Sequence, residues 1–166
     1  MVLGMSLETY TLIHVIISLI GIVSGLIVLF GMLGSKRLDG LTAIFLVTTA
    51  LTSITAFGFP FKGVTPGIIL GVLSIVVLAL SIPARYTFHM SGKWRAIYVI
   101  TAVVALYFNC FVLVAQTFQK EILHTKEPPS GTAFAITQSA VLALFILLGV
   151  KAARKFHPEM ASVSAA

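Results

Sequence analysis

Five long apolar runs follow one another along the chain, and they constrain its fold more than any other feature. Acidic and basic residues stand only at the ends of these runs or between them. A helix needs roughly 20 apolar residues to cross the hydrocarbon core of a bilayer, and each run is about that long. The sequence therefore predicts five membrane spans, at about residues 11–33, 41–61, 65–84, 94–118 and 132–150.

The composition supports the same interpretation. Hydrophobic residues make up 58% of the 166 residues, charged residues only 10%, and the mean hydropathy is +1.08. A soluble domain of this length has too little interior to hide that much apolar surface. We therefore expect an all-α fold, a polytopic transmembrane helix bundle that forms one domain over residues 1–166, with the lipid bilayer as its main partner.

The basic residues predict the orientation of the chain in the membrane. If the spans alternate in direction, eight Lys and Arg residues fall on one side and three on the other, and the richer side is normally cytoplasmic. This places the N-terminus outside and the C-terminus inside. The basic residues form short clusters rather than a stripe interleaved with aromatic residues, so the formal charge of +6 indicates topology and not nucleic-acid binding. The richer side holds Lys36, Arg37, Arg85, Lys93, Arg95, Lys151, Arg154 and Lys155, and the other holds Lys62, Lys120 and Lys126.

Uncharged polar residues within the spans suggest a binding site. Asn109 is the only asparagine, and a buried amide needs partners from neighbouring helices or trapped water. These residues are biased toward the outer half of the membrane, so we predict an outward-facing polar pocket for a lipid or another apolar small molecule. The alternative is a set of hydrogen bonds that lock helix packing. The predicted lining is His14, Thr52, Thr55, Asn109, Gln116 and Gln138.

His14 carries the main alternative function. An ionisable residue inside a span is a functional candidate, although His14 lies close to the outer interface, where a structural role is equally plausible. His14 and His124 are weak candidates for axial ligands of haem b in a membrane redox protein, because no two histidines occupy facing spans at matching depth. The leading prediction contains no cofactor and no metal.

Small residues indicate where helices approach one another. Gly21 and Gly25 stand four residues apart in the first span, as do Gly67 and Gly71 in the third. Such spacing permits close backbone contact in lipid. These faces are candidates for self-association or for contact with other membrane subunits.

The chemistry available favours a protein that is not an enzyme. The spans offer no Ser, His and Asp constellation and no pair of carboxylates at membrane depth. The leading hypotheses are a helper subunit of a membrane complex and a binder of a lipid or apolar molecule. A permeation pathway assembled by oligomerisation is a further alternative. The basic residues of segment 85–95 and of the tail after 150 could also meet anionic lipid headgroups.

Several segments resemble a group of uncharacterised bacterial multi-span inner-membrane proteins with no assigned activity. The resemblance rests on 57–67 (FGFPFKGVTPG), on 84–86 (ARY), on 107–120 (YFNCFVLVAQTFQK) and on the Glu127-Pro128-Pro129 turn. It implies a location in the bacterial cytoplasmic membrane and no particular activity.

Overall fold

Five α-helices make up the computed structural model, which describes residues 4–60, 63, 65–119 and 131–158. All five are long and apolar enough to cross a membrane, which confirms the predicted all-α bundle of five spans. The chain thus has the architecture of a multi-pass integral membrane protein. The helices are α1 (Leu7–Leu33), α2 (Asp39–Ala56), α3 (Pro66–Tyr86), α4 (Lys93–Gln119) and α5 (Thr132–Lys155).

The helix starts follow local capping rules. The Ser6 hydroxyl accepts a hydrogen bond from the backbone N–H of Thr9 at the start of α1. The Thr65 hydroxyl caps α3 in the same way, and Pro66 occupies the first turn, where its missing N–H costs nothing. The predicted start of α3 is therefore confirmed.

Three helices end at residues other than the predicted ones, and α1 begins at Leu7 rather than near residue 11. Helix α2 ends at Ala56, because the chain turns at Phe57 and Gly58 rather than continuing to residue 61. Helix α3 continues past Pro83 to Tyr86, and α5 continues to Lys155. Helices can extend beyond the apolar core because the headgroup region tolerates charged side chains.

Helix α4 is the centre of the bundle and contacts each of the other four helices. Its inward face combines small residues with large ones, and Tyr98, Ala102, Ala105 and Leu106 are all buried. The small side chains let the neighbouring helices approach closely, as membrane bundles require. Helix α1 lies against α2, α4 and α5, while α3 lies between α2 and α4.

The glycines predicted to mark helix contacts serve packing within one chain. A methyl group at Gly25 would stand 2.7 Å from Leu106 and 2.8 Å from Phe45, so any larger residue there would force these side chains to shift. Gly21 faces α2 and α4 in the same way, and Gly71 lies against Phe57. Gly67 is exposed. The faces of Gly21, Gly25 and Gly71 are thus already occupied by neighbouring helices, and self-association through these glycines stays a prediction.

The outer surface of the bundle is apolar. Along α1, for example, Leu12, Ile16, Val23 and Phe30 are all exposed. Helix α5 also exposes most of its length, with Leu144 and Leu147 among its outward side chains. Such surfaces are stable in hydrocarbon and would be costly in water.

Candidate functional site

His14 forms a hydrogen bond with Thr55, near the C-terminal end of α2. Its Nδ1 lies 2.7 Å from the Thr55 hydroxyl, which also lies 2.7 Å from the carbonyl oxygen of Leu51. A carbonyl can only accept, so the hydroxyl donates to Leu51 and must accept from His14. We infer that Nδ1 carries the proton and that Nε2 holds the lone pair of the neutral ring.

Aromatic side chains surround this bond. The rings of Tyr10 and Phe59 meet edge to face with centroids 5.1 Å apart, and Phe59 meets the imidazole of His14 in the same way at 5.2 Å. The Tyr10 hydroxyl donates to the carbonyl oxygen of Thr55 at 2.7 Å. We call this group, Tyr10, His14, Thr55 and Phe59, the histidine end of the bundle. Its contacts fasten α1 to α2.

Asn109 lies in the interior, away from the histidine end. Its amide nitrogen donates to the Thr49 hydroxyl at 3.2 Å, and the residue is 8% exposed. The amide nitrogen is also only 3.7 Å from where a Cβ at Gly21 would stand, so this glycine leaves space for it. The buried amide therefore joins α4 to α2 beside α1.

The remaining predicted lining residues lie elsewhere. The Gln138 amide nitrogen donates to the carbonyl oxygen of Phe111 at 3.0 Å and joins α5 to α4. Within the described part of the chain, the Gln138 Oε1 and the Thr52 hydroxyl are buried without a hydrogen-bond partner. Gln116 is exposed.

The hydrogen bonds thus do not join the six predicted lining residues into one network. His14 pairs with Thr55, Asn109 with Thr49, and Gln138 with a backbone carbonyl. These bonds connect different pairs of helices, and none of them links one pair to the next. A single polar pocket lined by all six stays a prediction, whereas the observed bonds match the alternative role of locking helix packing.

A buried arginine forms a polar network that the sequence did not predict. Arg85 has 1% of its side chain exposed, although the positive-inside count treated it as a loop residue. Its Nη2 donates to the Asp39 carboxylate at 2.5 Å and to the Arg37 carbonyl at 3.2 Å, while Nη1 donates to the sulfur of Met90. Its guanidinium also lies 5.0 Å from the centroid of the Tyr98 ring, a cation–π contact.

This network changes the interpretation of the basic segment 85–95. Arg85 points into the protein and cannot belong to a surface that meets lipid headgroups. Arg95 is also engaged, because its Nη1 donates to the carbonyl oxygens of Ala153 and Phe156 at the end of α5. We call Arg37, Asp39, Arg85 and Tyr98 the arginine end of the bundle. An aspartate directly before an apolar run, with an arginine at the end of the next, is the signal that could have revealed it.

An apolar groove runs between α4 and α5 and has a volume of about 420 Å³. We call it the α4–α5 groove. Val104 and Tyr107 form part of its wall on α4, and Leu142 and Ile146 on α5. The exposed Arg154 is the last of the lining residues and lies at the C-terminal end of α5. Gly149 also lines the groove, opposite Val103.

The described residues do not group into a metal site, since no three His, Cys, Asp or Glu side chains come together there. His14 is the predicted haem ligand that can be placed, and it is half-buried beside Phe59. His124, the second candidate, lies outside the described residues. No protein-family model, curated protein or solved structure matches this chain.

Proposed function

We propose that this protein is a non-enzymatic lipid-binding membrane protein that holds an acyl chain in the α4–α5 groove. The observation that carries the proposal is the groove itself, about 420 Å³ of apolar space on the membrane-exposed side of two spanning helices. Ligand sites of this size usually have mostly apolar walls with a few polar groups that fix orientation. Tyr107 and Arg154 are the polar groups here.

The dimensions of the groove fit a chain from one leaflet. At about 1.5 Å per residue, the stretch from Leu142 to Arg154 extends about 18 Å along α5. One leaflet contributes about 15 Å of hydrocarbon, half of a core roughly 30 Å thick. The groove begins near the middle of both helices and ends at Arg154, so its length corresponds to one leaflet.

We also propose that the end bearing Arg154 faces the cytoplasm of a bacterial cell, with the N-terminus outside. The cytoplasmic count remains seven without the buried Arg85, and Lys62, Lys120 and Lys126, the three residues of the other side, lie outside the described residues. A tag placed after Ala166 should then be protected from an external protease in intact cells and cleaved after the cells are opened.

A helper subunit, a haem protein that uses His14 and an oligomeric permeation pathway stay predictions. Helix α5 has the least buried surface of the five spans, which leaves room for a partner subunit. Each role has its own readout: co-purifying proteins for the subunit, visible absorption for haem, and liposome flux for the pathway.

The groove is tested by filling it. Val104→Trp places an indole in the groove, and Val76→Trp is the matched control, because Val76 is an exposed residue on α3 outside the groove. We expect native mass spectrometry of the gently purified protein to show a retained lipid on the wild type and on the control. The Val104→Trp variant should lose it. Equal retention by both variants would overturn the proposal.

A further inference from the structure

We propose that the lipid held in the α4–α5 groove is an anionic phospholipid whose phosphate is bound by Arg154. This inference rests on the proposed function and adds the chemical class of the headgroup. Arg154 lines the groove at the end where an acyl chain would leave the hydrocarbon and meet the headgroup region. A guanidinium at that position can donate two parallel hydrogen bonds to one phosphate.

The comparison with Arg95 shows why Arg154 is the candidate. Both arginines lie at the same end of the α4 and α5 pair. The Arg95 guanidinium is already bonded to the carbonyl oxygens of Ala153 and Phe156, where it closes the C-terminal end of α5. The Arg154 side chain is exposed and lines the groove.

The surrounding charges favour an anion. Glu8 and Asp39 are the acidic residues in the part of the chain that the structure describes. Glu8 lies in the first turn of α1, at the opposite end of the bundle, and Asp39 is paired with Arg37 and Arg85. Lys151 and Lys155 stand exposed on α5 beside Arg154, so the potential at the mouth of the groove is positive.

A competition between two lipids tests the headgroup. The purified protein is mixed with equal amounts of phosphatidylglycerol and phosphatidylcholine of matched chain length, and native mass spectrometry measures the ratio of the two bound lipids. We expect the wild type to favour phosphatidylglycerol at least about fivefold. Both lipids carry a phosphate, but only phosphatidylglycerol has a net negative charge, because the choline ammonium offsets it in phosphatidylcholine, and one basic residue near a membrane surface is worth about 1 kcal/mol toward a net negative lipid. Arg154→Gln should lower this ratio about fivefold relative to the wild type without reducing the total bound lipid, and Lys151 and Lys155 account for any preference that remains.

Matched variants separate Arg154 from a general effect of charge. Lys36→Gln removes one positive charge from the loop between α1 and α2, outside the groove, and should keep the preference. Arg154→Lys should keep the preference, since the positive charge that distinguishes the two lipids stays, whereas the two parallel hydrogen bonds go to a phosphate that both lipids carry. An equal loss of preference in Lys36→Gln and Arg154→Gln would overturn the role of Arg154.

Further outcomes distinguish this inference from the proposed function. If the wild type binds both lipids equally and Val104→Trp loses both, the headgroup assignment is wrong and the lipid groove stands. If Val104→Trp keeps its lipid, the groove itself is wrong. Inorganic phosphate, added at the lipid concentration, should leave the ratio unchanged, and abolition of the preference by phosphate would show a site for the free ion instead.

Discussion

The two ends of the bundle are held together by different chemistry. The histidine end joins α1 to α2 through neutral groups, the imidazole of His14 and the hydroxyls of Tyr10 and Thr55. The arginine end buries a full positive charge on α3 and pairs it with Asp39 on α2. A neutral hydrogen bond inside a membrane contributes little, whereas a buried charge without its partner costs several kcal/mol. The arginine end should therefore be much more sensitive to the loss of one partner.

The largest expected effect is the loss of the carboxylate at the arginine end. Asp39→Ala leaves Arg85 buried without an anion, and we expect the free energy of unfolding to fall by about 2 kcal/mol, or the melting temperature by roughly 4 to 8 °C. The loss is smaller than for a fully buried pair, because the Asp39 side chain is 67% exposed. Thermal unfolding in detergent measures it.

A second variant isolates the pair. In an Arg85→Met background the buried charge is gone, so Asp39→Ala should cost only about 0.5 to 1 kcal/mol, from the acidic residue at the start of a helix and its exposed ion pair with Arg37. Asp39 is the first residue of α2, so its favourable interaction with the helix N-terminus remains after Arg85 is replaced. The cost of Asp39→Ala in this background is therefore the reference for the cost in the wild type. A loss of the same size in both backgrounds would show that the ion pair does not stabilise the fold.

A smaller effect is expected at the histidine end. Thr55→Val removes the acceptor of the His14 hydrogen bond, and interhelical bonds of this kind average about 0.6 kcal/mol in membranes. Thr48→Val is the matched control, since the Thr48 hydroxyl donates to carbonyls of its own helix. Unfolding midpoints of the two variants should differ by roughly 1 to 2 °C. If the unfolding midpoint of Thr55→Val falls as far as that of Asp39→Ala, the two ends of the bundle are equally sensitive to the loss of a partner, which contradicts the expected difference.

The smallest effect is spectroscopic and concerns the His14 ring. The hydroxyl of Thr55 donates to Leu51, so we expect the neutral imidazole to carry its proton on Nδ1. Nitrogen chemical shifts of labelled histidine, assigned with a His14→Gln variant, report which ring nitrogen is protonated. Acidification would add a proton at Nε2 and leave the bond to Thr55 in place. A neutral ring protonated on Nε2 would contradict the assigned donor and acceptor roles.

The spans could be predicted from sequence because hydrocarbon imposes a strict rule on the chain. Each span must be apolar, helical and long enough to cross the bilayer, so composition and length nearly suffice. The inward position of Asn109 was also predictable, since an amide facing lipid is costly. Its partner was not, because Thr49 and Gly21 are brought beside it by the packing of three helices.

The arginine end and the groove depend on information that a linear pattern does not contain. The count of Lys and Arg on each side of the membrane treats every one of them as a surface charge. It therefore does not reveal that Arg85 is buried. The groove arises from the spacing of α4 and α5, which is set by contacts such as Gly149 against Val103. Apolar residues that line a groove and those that face lipid look alike in the sequence.

Photo-cross-linking in native membranes tests the central claim most directly. A photoreactive amino acid at position 104 lies in the groove, whereas the same group at position 76 is exposed on α3 outside the groove. We expect position 104 to capture one class of anionic phospholipid, enriched over its share of the membrane, and position 76 to capture lipids in proportion to their abundance. The same bulk mixture at both positions would contradict a selective lipid site between α4 and α5.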